Sequence, residues 1–260
     1  MTTSTGTATA TDELITERRG AVLVLRLNRP EARNAMTGSL LRGIGSAALE
    51  AEADPEIRAV VLTGTGDRAF CAGMDLRDFA DGGDFTSEGF TRLAAGNLSV
   101  PVIGAVNGIA IGGGLELLLG CDIIVASSAA KFGLPEIKRG LFPAGGGTAL
   151  GTRIPLGIAL EMTLTGDYFT AERAYEIGLI NAVAAPEDVL NTAIGYAERV
   201  AANAPLGLAA CKELVRLSIT DAAAAEKRLT QQQEIVFRSS DAKEGALAFI
   251  EKREPNWQGR

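Results

Sequence analysis

The sequence predicts a mixed α/β protein whose C-terminal part is helical. Continuous apolar runs of strand length are typical of parallel strands that are buried on both faces. Strand signals disappear after Pro186, and apolar residues at helical spacing continue to the end of the chain. The chain has 260 residues, of which 47% are hydrophobic, so one large domain with a sizeable core is expected. The three runs are Ala59–Thr63, Val102–Val106 and Ile123–Ala126.

The N-terminal elements are predicted from local signals. Leu14–Arg18 and Ala21–Leu27 are two strand patterns joined by a short turn that contains a glycine, which indicates a hairpin. A proline at position 30 ends the second strand. Thr37–Ala53 has apolar residues at helical intervals and is predicted as a helix. Residues 1–12 are rich in Thr and Ala, lack an apolar core, and are predicted to be a disordered tail.

Further helical patterns follow Gly112, Gly146 and Thr170. The chain therefore divides into a tail (1–12), a mixed α/β core (13–200) and a C-terminal helical segment (201–260). The helices predicted after Pro186 are Asp188–Ala202, Leu206–Ser218, Ala222–Phe237 and Lys243–Arg253.

Composition excludes several classes of function. A net charge of −7 argues against an electrostatic nucleic-acid binder. The chain contains no histidine, so Ser-His-Asp triads, Cys-His pairs and His-ligated metals are excluded, and we expect no metal site. Three widely spaced cysteines fit a reducing compartment, which makes the cytoplasm the expected location. No apolar run reaches the roughly 18 residues that a membrane span needs.

Two carboxylates stand out because they lie in apolar surroundings. Glu116 closes a glycine-rich turn that leads into three leucines, and Glu136 lies between Pro135 and Ile137. If both side chains are buried near one another, desolvation and like-charge repulsion would raise at least one pKa and separate a proton donor from a base. The alternative for Glu116 is a surface carboxylate that interacts favourably with a helix N-terminus.

Two glycine turns near these carboxylates are candidate anion sites. Gly73-Met74 and Gly112–Gly114 allow the backbone to approach a ligand closely and to turn its N–H groups outward. A helix that begins near Gly113 would also leave its first N–H groups unpaired. Such groups suit a developing oxyanion. Each turn taken alone also fits a plain tight turn.

Two other motifs point elsewhere. The segment from Gly64 to Ala69 formally matches the dinucleotide-binding fingerprint, but no long helix is predicted to follow it, so a polar turn is favoured over a Rossmann-type oxidoreductase. Cys71 has no histidine or other base nearby in the sequence, so it is interpreted as a packing residue and not as a nucleophile.

At these residues the chain resembles the enoyl-CoA hydratase (crotonase) family. The resemblance covers almost the whole chain, and so many segments in the same order make it highly specific. The segments that carry it run from Leu27 to Ala35, Ala69 to Leu76, Pro101 to Glu116, Cys121 to Asp122, Phe132 to Gly140, Gly145 to Thr148, Leu164 to Gly166, Gly178 to Asn181 and Glu244 to Arg253.

The resemblance implies a superhelix of repeated ββα units whose C-terminal helices pack between subunits of a homotrimer or homohexamer. It places the two oxyanion-hole N–H groups on Met74 and Gly113. It makes Glu136 the residue that handles the proton at C2, and Glu116 the residue that activates the water attacking C3. No cofactor is implied, because CoA enters as part of the acyl-CoA substrate.

The resemblance also implies contacts to CoA. They fall on Ala32, Arg33, Ala72 and Asp75, with Phe249 and Lys252 from a neighbouring subunit. Two features differ from the family pattern: Met74 stands where many hydratases have a small residue, and the segment Phe79–Arg92 matches no fixed motif.

The implied reaction is reversible addition of water to a 2-trans-enoyl-CoA, giving a 3-hydroxyacyl-CoA. Two alternatives stay open: a Δ3-Δ2 enoyl-CoA isomerase or another crotonase-type reaction, and a non-catalytic CoA-thioester binder built on the same scaffold.

Overall fold

The computed structural model describes residues 13–260, so the tail predicted over residues 1–12 lies outside the described residues. Strands and helices alternate up to residue 184, and helices follow from there to the C-terminus. The strands of the described part are β1 (Leu14–Arg19), β2 (Val22–Leu27), β3 (Ala59–Gly64), β4 (Ala69–Cys71), β5 (Val102–Val106), β6 (Ile109–Ile111), β7 (Ile123–Ser127), β8 (Lys131–Gly133), β9 (Phe169–Thr170) and β10 (Ala182–Ala184).

Most α-helices of the described residues match predicted ones, but the two between residues 76 and 94 have no predicted counterpart. Four short 3₁₀ helices also lie in this part of the chain, at Pro30–Ala32, Pro135–Arg139, Gly147–Thr152 and Pro186–Asp188. The α-helices of the described residues are α1 (Gly38–Ala53), α2 (Leu76–Ala80), α3 (Glu88–Ala94), α4 (Gly113–Leu119), α5 (Leu156–Thr165), α6 (Ala171–Glu176), α7 (Val189–Ala201), α8 (Pro205–Thr220), α9 (Ala222–Phe237) and α10 (Ser240–Glu251).

The strands form two sheets, and from β3 to β8 successive strands of the chain alternate between them. The larger sheet has the order β1-β2-β3-β5-β7-β10, and the smaller has the order β4-β6-β8-β9. Three consecutive strand pairs, β3–β4, β5–β6 and β7–β8, each put their first strand in the large sheet and their second in the small one, and a helical segment follows each pair. This arrangement is the repeated strand-strand-helix order that the sequence predicts.

The central strands β3, β5 and β7 of the large sheet are buried on both faces, which explains their uninterrupted apolar runs. Along β3, Val60 and Leu62 belong to the core shared with α1 and α4, whereas Ala59 and Val61 pack in a second core with α7. The two cores require apolar residues at every position of the strand, not at alternate positions. The prediction of doubly buried strands is therefore confirmed.

The turn that mimics a dinucleotide fingerprint is held by two asparagines. Buried Asn34 donates through Nδ2 to the carbonyl oxygens of Thr65 and Ala69 at 3.0 and 2.8 Å, and Asn107 Nδ2 donates to Gly66 O at 2.7 Å. Ala69 opens the strand β4 and not a helix, so the chain lacks the helix N-terminus that would face a pyrophosphate there. The interpretation as a polar turn is confirmed.

Two predicted helices differ from the structure. The pattern after Gly146 forms the 3₁₀ helix Gly147–Thr152, and the α-helix α5 begins later, at Leu156 after Pro155. The last helix begins at Ser240, three residues before the predicted start at Lys243, because Ser239 caps it by accepting a hydrogen bond from Ala242 N at 3.0 Å.

The C-terminal residues fold back onto the helices before them. Trp257 Nε1 donates to Ala202 O at 2.7 Å, and buried Asp241 accepts hydrogen bonds from the backbone of Gln258 and Gly259. In the part of the chain that the structure describes, no helix is long and apolar enough to cross a bilayer. The domain boundaries at residues 12 and 200 stay predictions.

A glycine-to-alanine pair tests the close approach of α4 to β4. A Cβ at Gly114 would collide with the carbonyl oxygen of Cys71, whereas a Cβ at Gly195 in α7 would meet open space. We expect Gly114→Ala to lower the free energy of unfolding by about 1–3 kcal/mol. Gly195→Ala should leave it unchanged or raise it by about 0.5–1 kcal/mol. Urea denaturation of both variants checks this, and equal stabilities would contradict the packing described.

Candidate active site

Three neighbouring strands of the small sheet bring the candidate residues together. β4, β6 and β8 are parallel neighbours, so their carboxyl ends meet at one edge of the sheet. The turn Gly73-Met74 follows β4, Gly112-Gly113 follows β6, and Glu136 follows β8. Segments that are up to about sixty residues apart in the sequence therefore converge on one site.

The Met74 and Gly113 amides lie side by side. A Cβ built on Gly73 would lie 3.3 Å from the Gly113 nitrogen, and one built on Gly113 would lie 3.6 Å from the Met74 nitrogen. Gly73 has φ +96, a conformation that favours glycine. Within residues 13–260 neither amide donates a hydrogen bond to the protein. Two unpaired N–H donors thus stand next to each other.

Backbone hydrogen bonds and an ion pair hold the Met74 turn in place. Met36 N donates to Gly73 O and Asp75 N donates to Met36 O, both at 2.8 Å. The Asp75 carboxylate pairs with Arg29 at 2.9 Å and accepts the first N–H groups of α2. The hydrogen bond from Arg29 holds the pKa of Asp75 below its usual range, although burial opposes this. The turn is therefore rigidly placed.

Gly112 sets the approach of Glu136 to the same turn. Its φ of +55 and ψ of −132 suit glycine, and its amide donates to Gly133 O at 3.0 Å. A Cβ at this position would lie 3.0 Å from Glu136 Oε1. A larger residue would push the carboxylate away from the amide pair.

Glu136 is half-buried, and its Oε2 is buried without a hydrogen-bond partner in the described part of the chain. Burial raises the pKa of Glu136, and the nearby charge of Glu116 raises it further, while Arg139 partly opposes both effects. The prediction that the two carboxylates lie close enough to raise at least one pKa is thus confirmed for Glu136.

Glu116 lies in the first turn of α4 and is 7% exposed, so the surface alternative does not hold. Its Oε1 accepts a hydrogen bond from Gly147 N at 2.9 Å. A Cβ at Gly145 would lie 2.8 Å from its Oε2, so a glycine leaves this side of the carboxylate uncrowded. The Gly145–Gly147 turn therefore holds Glu116 and explains why this buried carboxylate is tolerated.

The remaining predicted positions fall into two groups. Near the site, Ala72 N donates to Arg33 O at 3.1 Å, which joins the Ala32-Arg33 segment to the turn that carries Met74. Far along the chain, the side chains of Phe249 and Lys252 are exposed at the end of α10. The CoA contacts at all of these positions stay predictions.

Cys71 does not have the environment of a nucleophile. Burial raises the pKa of its thiol to about 12, so the thiolate is absent at neutral pH. Among residues 13–260, no group of three or more acidic or cysteine side chains is arranged to hold a metal ion. The packing role predicted for Cys71 is confirmed.

Sequence reasoning missed two contributors to the site. Gly147 provides the N–H that holds Glu116, and Met36 bridges to the Met74 turn. The three consecutive glycines at 145–147 were a usable signal for the first, because such a run brings a backbone close to a neighbour. No local signal marks Met36, whose role depends on pairing with a distant segment.

Several known proteins are similar to this chain over almost its whole length. A family model described as enoyl-CoA hydratase/isomerase matches residues 17–260. The enoyl-CoA hydratase EchA19 of Mycobacterium tuberculosis is 41% identical, with 95% of this chain and 97% of the relative covered. The carnitinyl-CoA dehydratase of Proteus mirabilis is 40% identical, with 93% of this chain and 97% of the relative covered. A crystal structure of enoyl-CoA hydratase from Mycobacterium tuberculosis has a TM-score of 0.89 and 42% identity, with 96% and 100% covered.

Opposite pH dependences of stability are expected for two carboxylate variants. The raised pKa of Glu136 means that the folded protein keeps this proton while the unfolded chain loses it, so stability falls as pH rises through that window. Glu136→Gln should therefore be more stable than wild type at pH 8, and the difference should disappear below about pH 4.

Asp75→Asn provides the control with the opposite sign. Its lowered pKa contributes stability at neutral pH that is lost as pH falls through the folded-state value. This variant should be less stable than wild type at pH 8, with the deficit shrinking in acid. Free energies of unfolding from urea titrations at several pH values measure both, and the same sign for both variants would contradict the burial and pairing described.

Proposed function

The chain belongs to the enoyl-CoA hydratase/isomerase family and has its crotonase fold, and from this premise we propose that it is a hydro-lyase acting on CoA thioesters. The reaction would be reversible addition of water to a 2-trans-enoyl-CoA to give a 3-hydroxyacyl-CoA. One observation carries this proposal: two unpaired amide N–H groups lie beside a pair of carboxylates, one of which has a raised pKa.

In the proposed mechanism, the thioester carbonyl oxygen accepts hydrogen bonds from the Met74 and Gly113 N–H groups. These donors polarise the conjugated double bond and stabilise the enolate that forms when a nucleophile adds at C3. Loss of one such donor commonly costs on the order of 10²–10³-fold in rate. Gly113 is the first residue of α4, so the positive end of that helix adds to the stabilisation.

The two glutamates divide the proton transfers. Glu116 accepts a proton from the water whose oxygen bonds to C3, and the Gly147 N–H holds this carboxylate in place. Glu136 donates its proton to C2 as the enolate collapses, and burial, which raises its pKa, favours the protonated form that acts as the donor. The pair starts and ends with one proton, which has moved from Glu136 to Glu116 and redistributes before the next turnover.

The proposed reaction requires no cofactor. Addition of water causes no net oxidation or reduction, and the amide pair supplies the electrophilic assistance. CoA arrives with the substrate, and Ala32, Arg33, Ala72 and Asp75 lie on the segments that adjoin the Met74 turn. We further propose that Phe249 and Lys252 reach CoA in a neighbouring subunit of a homotrimer or homohexamer.

A second candidate substrate is favoured by one comparison. A carnitinyl-CoA dehydratase is as similar to this chain as an enoyl-CoA hydratase is. Loss of water from a 3-hydroxyacyl-CoA is the reverse of the reaction proposed here, so the same residues would serve. A Δ3-Δ2 isomerisation needs one carboxylate to shuttle a proton, so the presence of both glutamates favours hydration. A non-catalytic thioester binder is disfavoured because both glutamates and both amides are placed for chemistry.

Removal of either glutamate should abolish most hydration. We expect Glu116→Gln and Glu136→Gln each to lower kcat by about 10²–10⁴-fold, because each removes one proton transfer. Binding of butyryl-CoA, a saturated thioester, should persist in both variants. The measurement is loss of the enoyl-thioester absorbance across 2-enoyl-CoAs of different length, with calorimetry for binding.

Glu198→Gln, which changes an exposed glutamate on α7, is the matched control and should retain full activity. Full activity in either site variant would refute the assigned roles. Binding without turnover in wild type, across all acyl chains including carnitinyl-CoA in the reverse direction, would favour the thioester binder.

The pH dependence should be the same in the two directions. Addition of water takes up or releases no net proton, so the equilibrium constant fixes the ratio of the two kcat/KM values at every pH. Both directions use the glutamate pair with one proton, and hydration requires that proton on Glu136, so kcat/KM in both should fall as pH rises through the raised pKa of that residue. Profiles measured in both directions test this, and a hydration rate that increases steadily with pH would contradict the role of Glu136 as the proton donor.

A further inference from the structure

We propose that Arg216, on α8 in the C-terminal segment, is a positioning residue that holds the oxyanion helix α4 in register with the Met74 turn. This inference rests on the function proposed above. In this role, the distant guanidinium of Arg216 fixes the positions of the Gly113 amide and the Glu116 carboxylate.

The short helix α4 has the proposed functional groups at its N-terminal end and the contacts with Arg216 at its C-terminal end. It has seven residues, with Gly113 first and no side-chain cap at its N-terminus. At its C-terminal end, the amides of Gly120 and Cys121 bond back to Leu117 and Leu118. The last carbonyl oxygens of a helix need donors from elsewhere, and side chains can supply them.

Arg216 supplies donors, with a single planar group, to the carbonyls of the two residues that directly follow α4. Its Nη2 donates to Gly120 O at 3.0 Å and to Cys121 O at 3.1 Å, and the same guanidinium binds Asp122 Oδ1 at 2.9 and 3.1 Å. Arg153 adds Nη1 to Cys121 O at 2.8 Å. Positive groups at a helix C-terminus are also favoured by the helix dipole. The end of α4 is therefore held by two guanidinium groups.

The residues around the Arg216 guanidinium and the C-terminal end of α4 are closely packed. Gly96, just after α3, has φ +73, and a Cβ there would collide with the Arg216 guanidinium. At the other face, a Cβ on Gly120 would collide with Leu93 O. The C-terminal end of α4 is thus wedged between α3 and α8. Because α4 is about 10 Å long, a tilt at this end moves Gly113 against Met74.

Lys212 provides a control that distinguishes a positioning role of Arg216 from a simple ion pair with Asp122. It lies one turn before Arg216 on the same helix, is almost fully buried, and contacts the same carboxylate, with Nζ 2.8 Å from Asp122 Oδ2. Its other hydrogen bond goes to Val100 O at 3.0 Å, and, unlike Arg216, it donates to neither Gly120 O nor Cys121 O. A variant of Lys212 therefore disturbs the same charge cluster without releasing the helix.

The test compares Arg216→Met, Arg216→Lys and Lys212→Met with wild type. The probe is butyryl-CoA carrying ¹³C at the thioester carbonyl, which cannot be hydrated and whose C=O stretching frequency falls when the two amides bind it. The frequency shift on binding reads the amide pair directly. Steady-state kcat and KM with the best 2-enoyl-CoA provide the second readout.

Arg216→Met should lose at least half of the wild-type frequency shift and lower kcat by about tenfold or more, with KM changed by less than about threefold. Arg216→Lys, which keeps the charge but not the planar fork, should recover part of both. Lys212→Met should keep the full shift and kcat even if it is less stable. If Arg216→Met does not fold, Arg216→Lys alone tests the inference, and this variant should lose part of the frequency shift and part of kcat.

Three outcomes overturn the inference in distinguishable ways. A normal wild-type shift that is unchanged in the Arg216 variants would refute the positioning role alone. The same holds for equal losses in the Arg216 and Lys212 variants, which would show a general effect of the charge cluster. No shift in wild type would refute the amide pair itself, and with it both the proposed function and this inference.

Discussion

The site depends on the close approach of two glycine backbones at the ends of parallel strands. β4 and β6 are neighbours in the small sheet, and the turns that follow them bring the Gly113 nitrogen within 3.3 Å of where a side chain on Gly73 would begin. Neither turn could hold its conformation this close with a larger residue at Gly73 or Gly112. The amides of Met74 and Gly113 lie side by side because the strands before them are parallel neighbours.

The carboxylates are arranged around this backbone pair in contrasting environments. Glu116 is buried but has a firm hydrogen bond from Gly147 N, whereas one oxygen of Glu136 is buried without a partner. An unpaired buried carboxylate oxygen destabilises the charged form and favours the proton. The buried, unpaired oxygen therefore lowers stability and keeps on Glu136 the proton that the proposed chemistry transfers to C2.

Much of this could be predicted from the sequence, and the rest depends on long-range pairing. The doubly buried strands, the hairpin and the C-terminal helices follow from apolar periodicity, and the glycine turns and apolar surroundings marked Met74, Gly113, Glu116 and Glu136. The strand order β4-β6-β8 that brings these residues together is set by pairing across segments without a local signal. The same is true of Gly147, Met36 and Arg216, each of which acts on an element far away in the sequence.

In the proposed reaction, one site adds the oxygen of water to C3 and a proton to C2 of an enoyl thioester. The most direct test is to incubate the protein with crotonyl-CoA and longer 2-enoyl-CoAs in D₂O and to analyse the products by NMR. We expect a 3-hydroxyacyl-CoA that carries one deuterium at C2 in a single stereochemical position. Products without a 3-hydroxyl group, either 3-enoyl-CoA with deuterium at C2 or recovered 2-enoyl-CoA with deuterium at C4, would contradict hydration and establish isomerase chemistry on this scaffold.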